Sequence, residues 1–494
     1  MKKYIYSLFL AFVAVSLTSC LDLKPESELT FNGYWSSEEA VKAAQIGLHS
    51  KLRDYDNTLW QMGEVRSDIW GASTLETGFD SELIANNISE TQVYFDKWAD
   101  FYGLMHNLND FIKNAPSVTF RNPKELNYMM GQAYGIRAFV YYTLLKAYGD
   151  VPITTEPMAE VDLMKLKKKR SPKAEVMAQV KSDIAKSLEY FGTDNTLMSG
   201  KSVYWSKSAT LALKGDAYLW SGKVLGGGQA DFTEAKTALS SITGFDLVTY
   251  DKLWGVANEN NKEFIFSFEY TQLVKANIYS SFTAANQYIK PLFDENNTPL
   301  SSVIIYGAPA TTISGANRYC PTTKTLTALS DKQDLRYNTF FRMYDAAKVY
   351  KASMLYKFMG PVNTGGVRES DNNVPIYRYA DVVLLLAEAK NQLGEDPSGE
   401  INQVRKRAYG ANYVGHEYAN STKEVNAKAI LDERLKEFIG EGKRWWDLVR
   451  AGDDYVFNEV IALKKADAYK IYYSISASML ANDSELTQTD GYKK

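Results

Sequence analysis

Apolar positions recur at helical spacing in three separated stretches of the chain. In residues 132–148, Ala133, Ile136, Val140, Leu144 and Ala147 share one face, and Ala138, Tyr142 and Leu145 share another. A helix apolar on two faces needs neighbours on both sides. Gly149-Asp150-Val151-Pro152 should stop it, because glycine permits the turn and proline restrains the residue before it. A second helix is expected after that stop, with Ser171 as its cap, Pro172 in its first turn, and Val176, Val180, Ile184 and Leu188 on one face.

The same style returns at residues 206–224, where Ala209, Leu213 and Ala217 recur, followed by a glycine turn at 226–228 and a second helix over 231–242. It returns again at 379–393 and 398–408, and residues 38–53 with 91–113 supply material for a fourth pair. Small residues where two helices meet and bulky ones where pairs stack are what a tetratricopeptide-like solenoid requires. The predicted fold is mainly α, a scaffold of helical pairs with insertions. Two stretches break the pattern. Residues 53–90 place Trp60, Trp70 and Phe79 among glycine, serine, aspartate and asparagine, and residues 244–373 alternate short β-like pieces, such as EFIFSFE at 263–269, with polar aromatic loops. The expected division is a leader over 1–19, a helical repeat region with a loop insertion over 20–243, an irregular subdomain with short strands over 244–373, and a C-terminal helical region over 374–494.

Composition narrows the function. The 494 residues carry a net charge of −3, which gives no electrostatic footprint for nucleic acid. Three histidines, His49, His106 and His416, and two cysteines, Cys20 and Cys320, offer almost nothing for a zinc cluster or a disulfide framework. No metal or cofactor is expected. There is no G-x-S-x-G elbow and no H-E-x-x-H; Asn195 stands where a phosphate loop before Gly200-Lys201-Ser202 would begin with glycine, and Asp231 spoils a dinucleotide fingerprint at 226–228. A glycosidase needs only two placed carboxylates, so among enzymes that class alone stays open. The basic run KLKKKR at 165–170 reads as a solvated linker.

The N-terminus fixes the expected compartment. Lys2 and Lys3 precede an apolar run over residues 5–17, too short to span a bilayer and typical of a secretory leader. Its ending, Leu17-Thr18-Ser19-Cys20, resembles a bacterial lipobox, which implies that Cys20 becomes an acylated first residue and anchors the body to a membrane. Asp22, Glu26 and Glu28 behind it resemble a Bacteroidetes signal for the outer face of the outer membrane.

Near the other end stands LDERLKEFIGEGKRWWDLVR, residues 431–450. Leu431, Leu435, Phe438 and Ile439 share a helix face; Glu433, Glu437 and Glu441 share another, which reads as the charged side of an amphipathic helix partnered by Arg434, Lys436, Lys443 and Arg444 rather than as a catalytic row. Trp445 and Trp446 are expected to pack into the body. The segment resembles the C-terminal signature of the SusD/RagB family of Bacteroidetes outer-membrane lipoproteins, as do Arg137-Ala138-Phe139 with 148–152, and Tyr377-Arg378-Tyr379-Ala380-Asp381-Val382 with Ala387-Glu388-Ala389. The tail departs from the family at Ile475-Ser476, where a proline usually follows the isoleucine.

The resemblance implies a non-enzymatic nutrient-binding protein, lipid-anchored at the outer membrane and exposed on the cell surface. It further implies an oligosaccharide or, less often, a peptide as ligand, and a SusC-type TonB-dependent transporter as partner. Composition agrees, since 9 Trp, 34 Tyr and 22 Phe supply rings on which sugar faces stack. Because helical pairs must bury their apolar faces, outward rings are expected from the two aperiodic stretches: Trp70, Phe79, Tyr279, Tyr288, Tyr306 and Tyr319, with Asn286 and Arg318 as hydrogen-bonding neighbours. If those stretches lie side by side, they make one shallow aromatic surface.

Overall fold

The computed structural model describes residues 35–72, 74–75, 81–95, 98–158, 167–271, 274–305, 307–312 and 315–492. The leader, Cys20, Phe79 and Tyr306 lie outside these residues.

The helical pairs are present. Helix α1 (Glu38–Arg53) and α2 (Asp56–Glu64) open the fold, and α1 packs against α3 (Trp98–Asn114). Helix α4 (Pro123–Tyr148) begins ahead of the apolar pattern, because the Asn122 side chain accepts from the Lys124 N–H and Pro123 occupies the first turn. From Met129 to Tyr148 every residue but Tyr134 is buried, as a two-faced apolar helix demands. Its partner α5 (Lys173–Phe191) starts differently from expectation. Pro172 sits in the cap position, Ser171 pairs with Val151 in a β-bridge, and the cap comes from the preceding stop: Asp150 Oδ1 accepts from the Lys173 N–H at 2.8 Å. The basic run is no simple linker, for Arg170 donates to the Tyr148 carbonyl at the end of α4 (2.9 Å) and to the Asp150 carbonyl (2.7 Å). Arg137 joins the two helices by a bidentate pair with Asp183, at 2.9 and 2.6 Å.

Next come α6 (Lys207–Val224), capped by Ser206, and α7 (Gly228–Ser240). They meet at Gly215, where a Cβ would lie 2.4 Å from the Leu239 side chain. Helix α8 (Tyr379–Gln392) packs on α7 and pairs with α9 (Ser398–Tyr409), and α10 (Lys423–Phe438) and α11 (Arg444–Ala451) complete the scaffold. The signature therefore spans two helices. Gly440 and Gly442, with φ of 84° and 71°, turn the chain between them, so Glu441 lies in the turn and not on the helix.

Short antiparallel strand pairs tie distant segments together: β1 (Trp70–Ala72) with β3 (Tyr319–Pro321), β2 (Phe264–Phe268) with β6 (Val374–Arg378), and the hairpin β4 (Phe340–Tyr344) with β5 (Tyr350–Leu355). All five residues of β2 are buried, the mark of a strand covered on both faces.

Candidate functional site

The glutamates of the signature are interior groups, not the outer side of an amphipathic helix. Glu433, Glu437 and Glu441 are 2%, 1% and 6% exposed. Their principal partners come from other segments. Arg378, at the end of β6, pairs with Glu263 (2.6 Å), Glu437 (2.7 Å) and Glu441 (2.9 Å). Arg407 of α9 reaches Glu263 (2.9 Å) and Glu437 (2.6 Å), Arg336 reaches Glu433 (2.9 Å), and Lys357 reaches Glu441 (2.7 Å). Of the expected partners, Arg434 pairs with Asp447, Lys443 with Asp381 and Arg444 with Asp68. Burial alone raises the Glu437 carboxyl, but the Arg407 and Arg378 guanidiniums overcome it and hold it well below the usual carboxylate range. Every carboxylate of the row is thus committed to a cation, which makes the cluster structural.

One further acid joins this turn to the aperiodic stretches. Glu64, at the end of α2 and fully buried, accepts from the Gly440 N–H at 2.6 Å, from the Gly442 N–H and from the Trp70 indole at 3.1 Å. Burial pushes its carboxyl up to about 7 against the pull of those donors. The close approach of α2 needs Gly63, where a Cβ would meet the Gly442 carbonyl oxygen at 1.8 Å.

The two aperiodic stretches do lie side by side. In the β1–β3 ladder Trp70 faces Pro321, Gly71 faces Cys320 and Ala72 faces Tyr319. Three of the four expected rings that are described turn inward, however. Trp70, Tyr279 and Tyr319 are 2%, 2% and 1% exposed. Trp60, Trp70, Phe282, Tyr319 and Phe340 form one aromatic core, with centroids 4.8–6.2 Å apart. Trp70 and Tyr319 hold the ladder together, and they and the buried Tyr279 present no face to a ligand. Tyr288 is 39% exposed, Asn286 is exposed with its amide bonded to the Thr311 carbonyl, and Arg318 is half-buried. Beside them the β4–β5 hairpin contributes Tyr344 and Tyr350, half-buried and edge to face at 6.1 Å. Sequence reading passed these two over, although both end strands in which buried and half-buried positions are interspersed.

Comparison with known proteins decides the family. Residues 345–492 match the SusD family, and residues 19–219 match the family described as starch-binding, associating with the outer membrane. The structure of NanU from B. fragilis superposes with a TM-score of 0.86 at 32% identity, covering 96% of this chain and all of that one. This chain belongs to the SusD family. A SusD superfamily protein from Bacteroides vulgatus is similar at 32% identity and a TM-score of 0.83, over 92% of this chain and 99% of that one. A SusD-like protein of Formosa agariphila is 27% identical over 91% of this chain and 92% of its own length. The SusD match at the C-terminal end includes Glu433, Glu437 and Glu441 with Lys357, Arg378 and Arg407, while Glu263 and Arg336 of the same cluster lie outside it, so the family signature is a core-building motif. The two matched regions leave 220–344 between them, which holds Tyr279, Asn286, Tyr288, Arg318 and Tyr319. The family is one of glycan-binding proteins associated with the outer membrane. Among the described residues no helix is long and apolar enough to cross a membrane, and no group of three or more His, Cys, Asp or Glu is placed to hold a metal ion.

Proposed function

We propose that this protein is a non-enzymatic surface lipoprotein that holds an oligosaccharide and passes it to a SusC-type TonB-dependent transporter. The observation that carries the reading is a likeness to SusD proteins running through nearly the whole chain, at 96% coverage in one solved structure. We put the ligand face near the β1–β3 junction, with Tyr288, Asn286 and Arg318 as the described contacts; Phe79 and Tyr306, outside the described residues, stay candidates from sequence alone. The tyrosine ring offers a stacking surface, and the amide and guanidinium offer donors to hydroxyls. A hydrolase reading gains nothing from the glutamate row, whose members are buried and paired. Cys20 carries the anchor after loss of residues 1–19.

A glycan array with a peptide control tests the ligand class. Binding to glycans and not to peptides supports the reading, while peptide binding alone replaces it, and new reducing ends on incubated glycans would make the protein an enzyme. Fatty-acid labelling that persists in Cys20→Ala removes the anchor. Purification from outer membranes without any transporter removes the proposed partner.

A further inference from the structure

A groove of about 840 Å³ opens beside the signature helix, within the size range of small-molecule sites. None of its lining residues belongs to the β1–β3 junction or to residues 277–322. Its walls include Tyr250, Trp254 and Tyr356, all half-buried, while Val256 and Leu335, 39% and 44% exposed, are large apolar side chains open to solvent. Solvent-facing apolar surface concentrated in a concavity, with rings among it, is what ligand recognition uses.

The polar groups narrow the ligand. Arg407, Arg336 and Lys357 line the floor, yet each is matched by buried carboxylates: Arg407 by Glu263 and Glu437, Arg336 by Asp334 and Glu433, Lys357 by Glu441. An anionic ligand finds no unmatched cation among them, and Lys436, also on the lining, lies 3.8 Å from Asp334. Two groups can serve a neutral one. Asn338, at the rim, is exposed, and its amide can donate and accept. Asp251, also on the lining, is exposed, and its carboxylate oxygens can accept from ligand hydroxyls. An apolar face combined with neutral hydroxyls describes a pyranose ring.

We propose that this groove is a second saccharide site, which takes a neutral sugar unit against Trp254 and Tyr356 with hydroxyls toward Asn338 and Asp251. It rests on the glycan-binding reading and adds to it a site apart from the loop face. The test uses the full chain labelled with 5-fluorotryptophan, the Trp254 fluorine resonance being assigned from Trp254→Phe. Methyl α-glucopyranoside, methyl β-galactopyranoside, maltotriose and cellotriose are titrated in, with methyl glucuronoside and a dodecyl detergent as contrasts. A saturable shift of the Trp254 resonance by a neutral sugar is expected, weakened at least tenfold in Asn338→Ala and in Tyr356→Ala and unchanged in Tyr288→Ala. If array glycans bind and Tyr288→Ala abolishes that binding while the Trp254 resonance never moves, the second site is overturned and the first reading stands. Absence of binding by any glycan overturns both. A shift caused only by the glucuronoside or only by the detergent overturns the neutral-sugar assignment.

Discussion

Glu64 accepts the main-chain N–H of Gly440 at 2.6 Å across 376 residues of sequence. The same carboxylate accepts a hydrogen bond from the Trp70 indole N–H, so one buried acid fastens the C-terminal turn to the strand that begins the β1–β3 ladder. Its pKa is raised from 4.5 to about 7. Between those values the folded protein holds a proton that the unfolded chain has released, so this group's contribution falls as pH rises, by about 3 kcal/mol across the full window. His49, which burial lowers from 6.5 to about 4, works in the opposite sense over much of that range. Glu64→Gln removes the first effect alone. Relative to wild type, the variant should therefore gain stability as pH rises from 5 to 7. Urea denaturation at three pH values measures this, and a constant difference between the two proteins would refute it.

Glu437→Gln should be severely destabilising. It leaves Arg378 and Arg407 buried without a carboxylate that both use, a change that costs about 3–5 kcal/mol. A solvated carboxylate would cost under about 0.5 kcal/mol. Chemical denaturation separates the two values.

Tyr288→Ala and Arg318→Ala should each weaken glycan binding by about 1–3 kcal/mol and leave the thermal midpoint nearly unchanged. Trp70→Ala should do the reverse in kind, costing about 3–5 kcal/mol of stability because it empties a packed site. Calorimetric titration with an array-identified glycan, run beside thermal melts, tests both halves. Full affinity in Tyr288→Ala and Arg318→Ala would move the ligand elsewhere.

Trp446→Ala should also cost about 3–5 kcal/mol, since the ring is 8% exposed and packs edge to face on Trp220 at 6.3 Å. Lys146, whose ammonium lies 5.0 Å from that ring and which burial lowers to about 8, loses a neighbour in the same variant. Loss of under 1 kcal/mol in a denaturant melt would contradict the packing.

Asp150→Ala should cost about 1 kcal/mol through loss of the α5 cap, and Ser171→Ala much less. Equal losses in thermal melts would restore Ser171 as the cap.

The helical scaffold was legible because its information is local: Ala209, Leu213 and Ala217 announce a face, and Ser206 announces a start. Membership of the family was legible for the same reason, as one run of residues near the C-terminus carries it. Side-chain exposure in the aperiodic stretches was not. Trp70 and Tyr319 sit among polar residues in sequence, yet pairing across some 250 positions places both rings in one core. The glutamate row misled likewise, since spacing along a helix shows which residues share a side but not what covers that side. Its covering cations, Arg336, Arg378 and Arg407, come from three other segments.

Besides the bond between Glu64 and Gly440, two early acids meet late cations: Asp68 with Arg444 at 2.8 Å and Asp216 with Arg450 at 3.0 Å. A chain made from its N-terminus presents Glu64, Asp68 and Asp216 long before their partners emerge. Until then these acids stay hydrated, because burying an unmatched charge is prohibitive. Closure of the core therefore requires the last segment of the chain. The signature completes the core, and a chain cut short before residue 440 leaves Asp68 and Asp216 without Arg444 and Arg450 and is open to proteolysis.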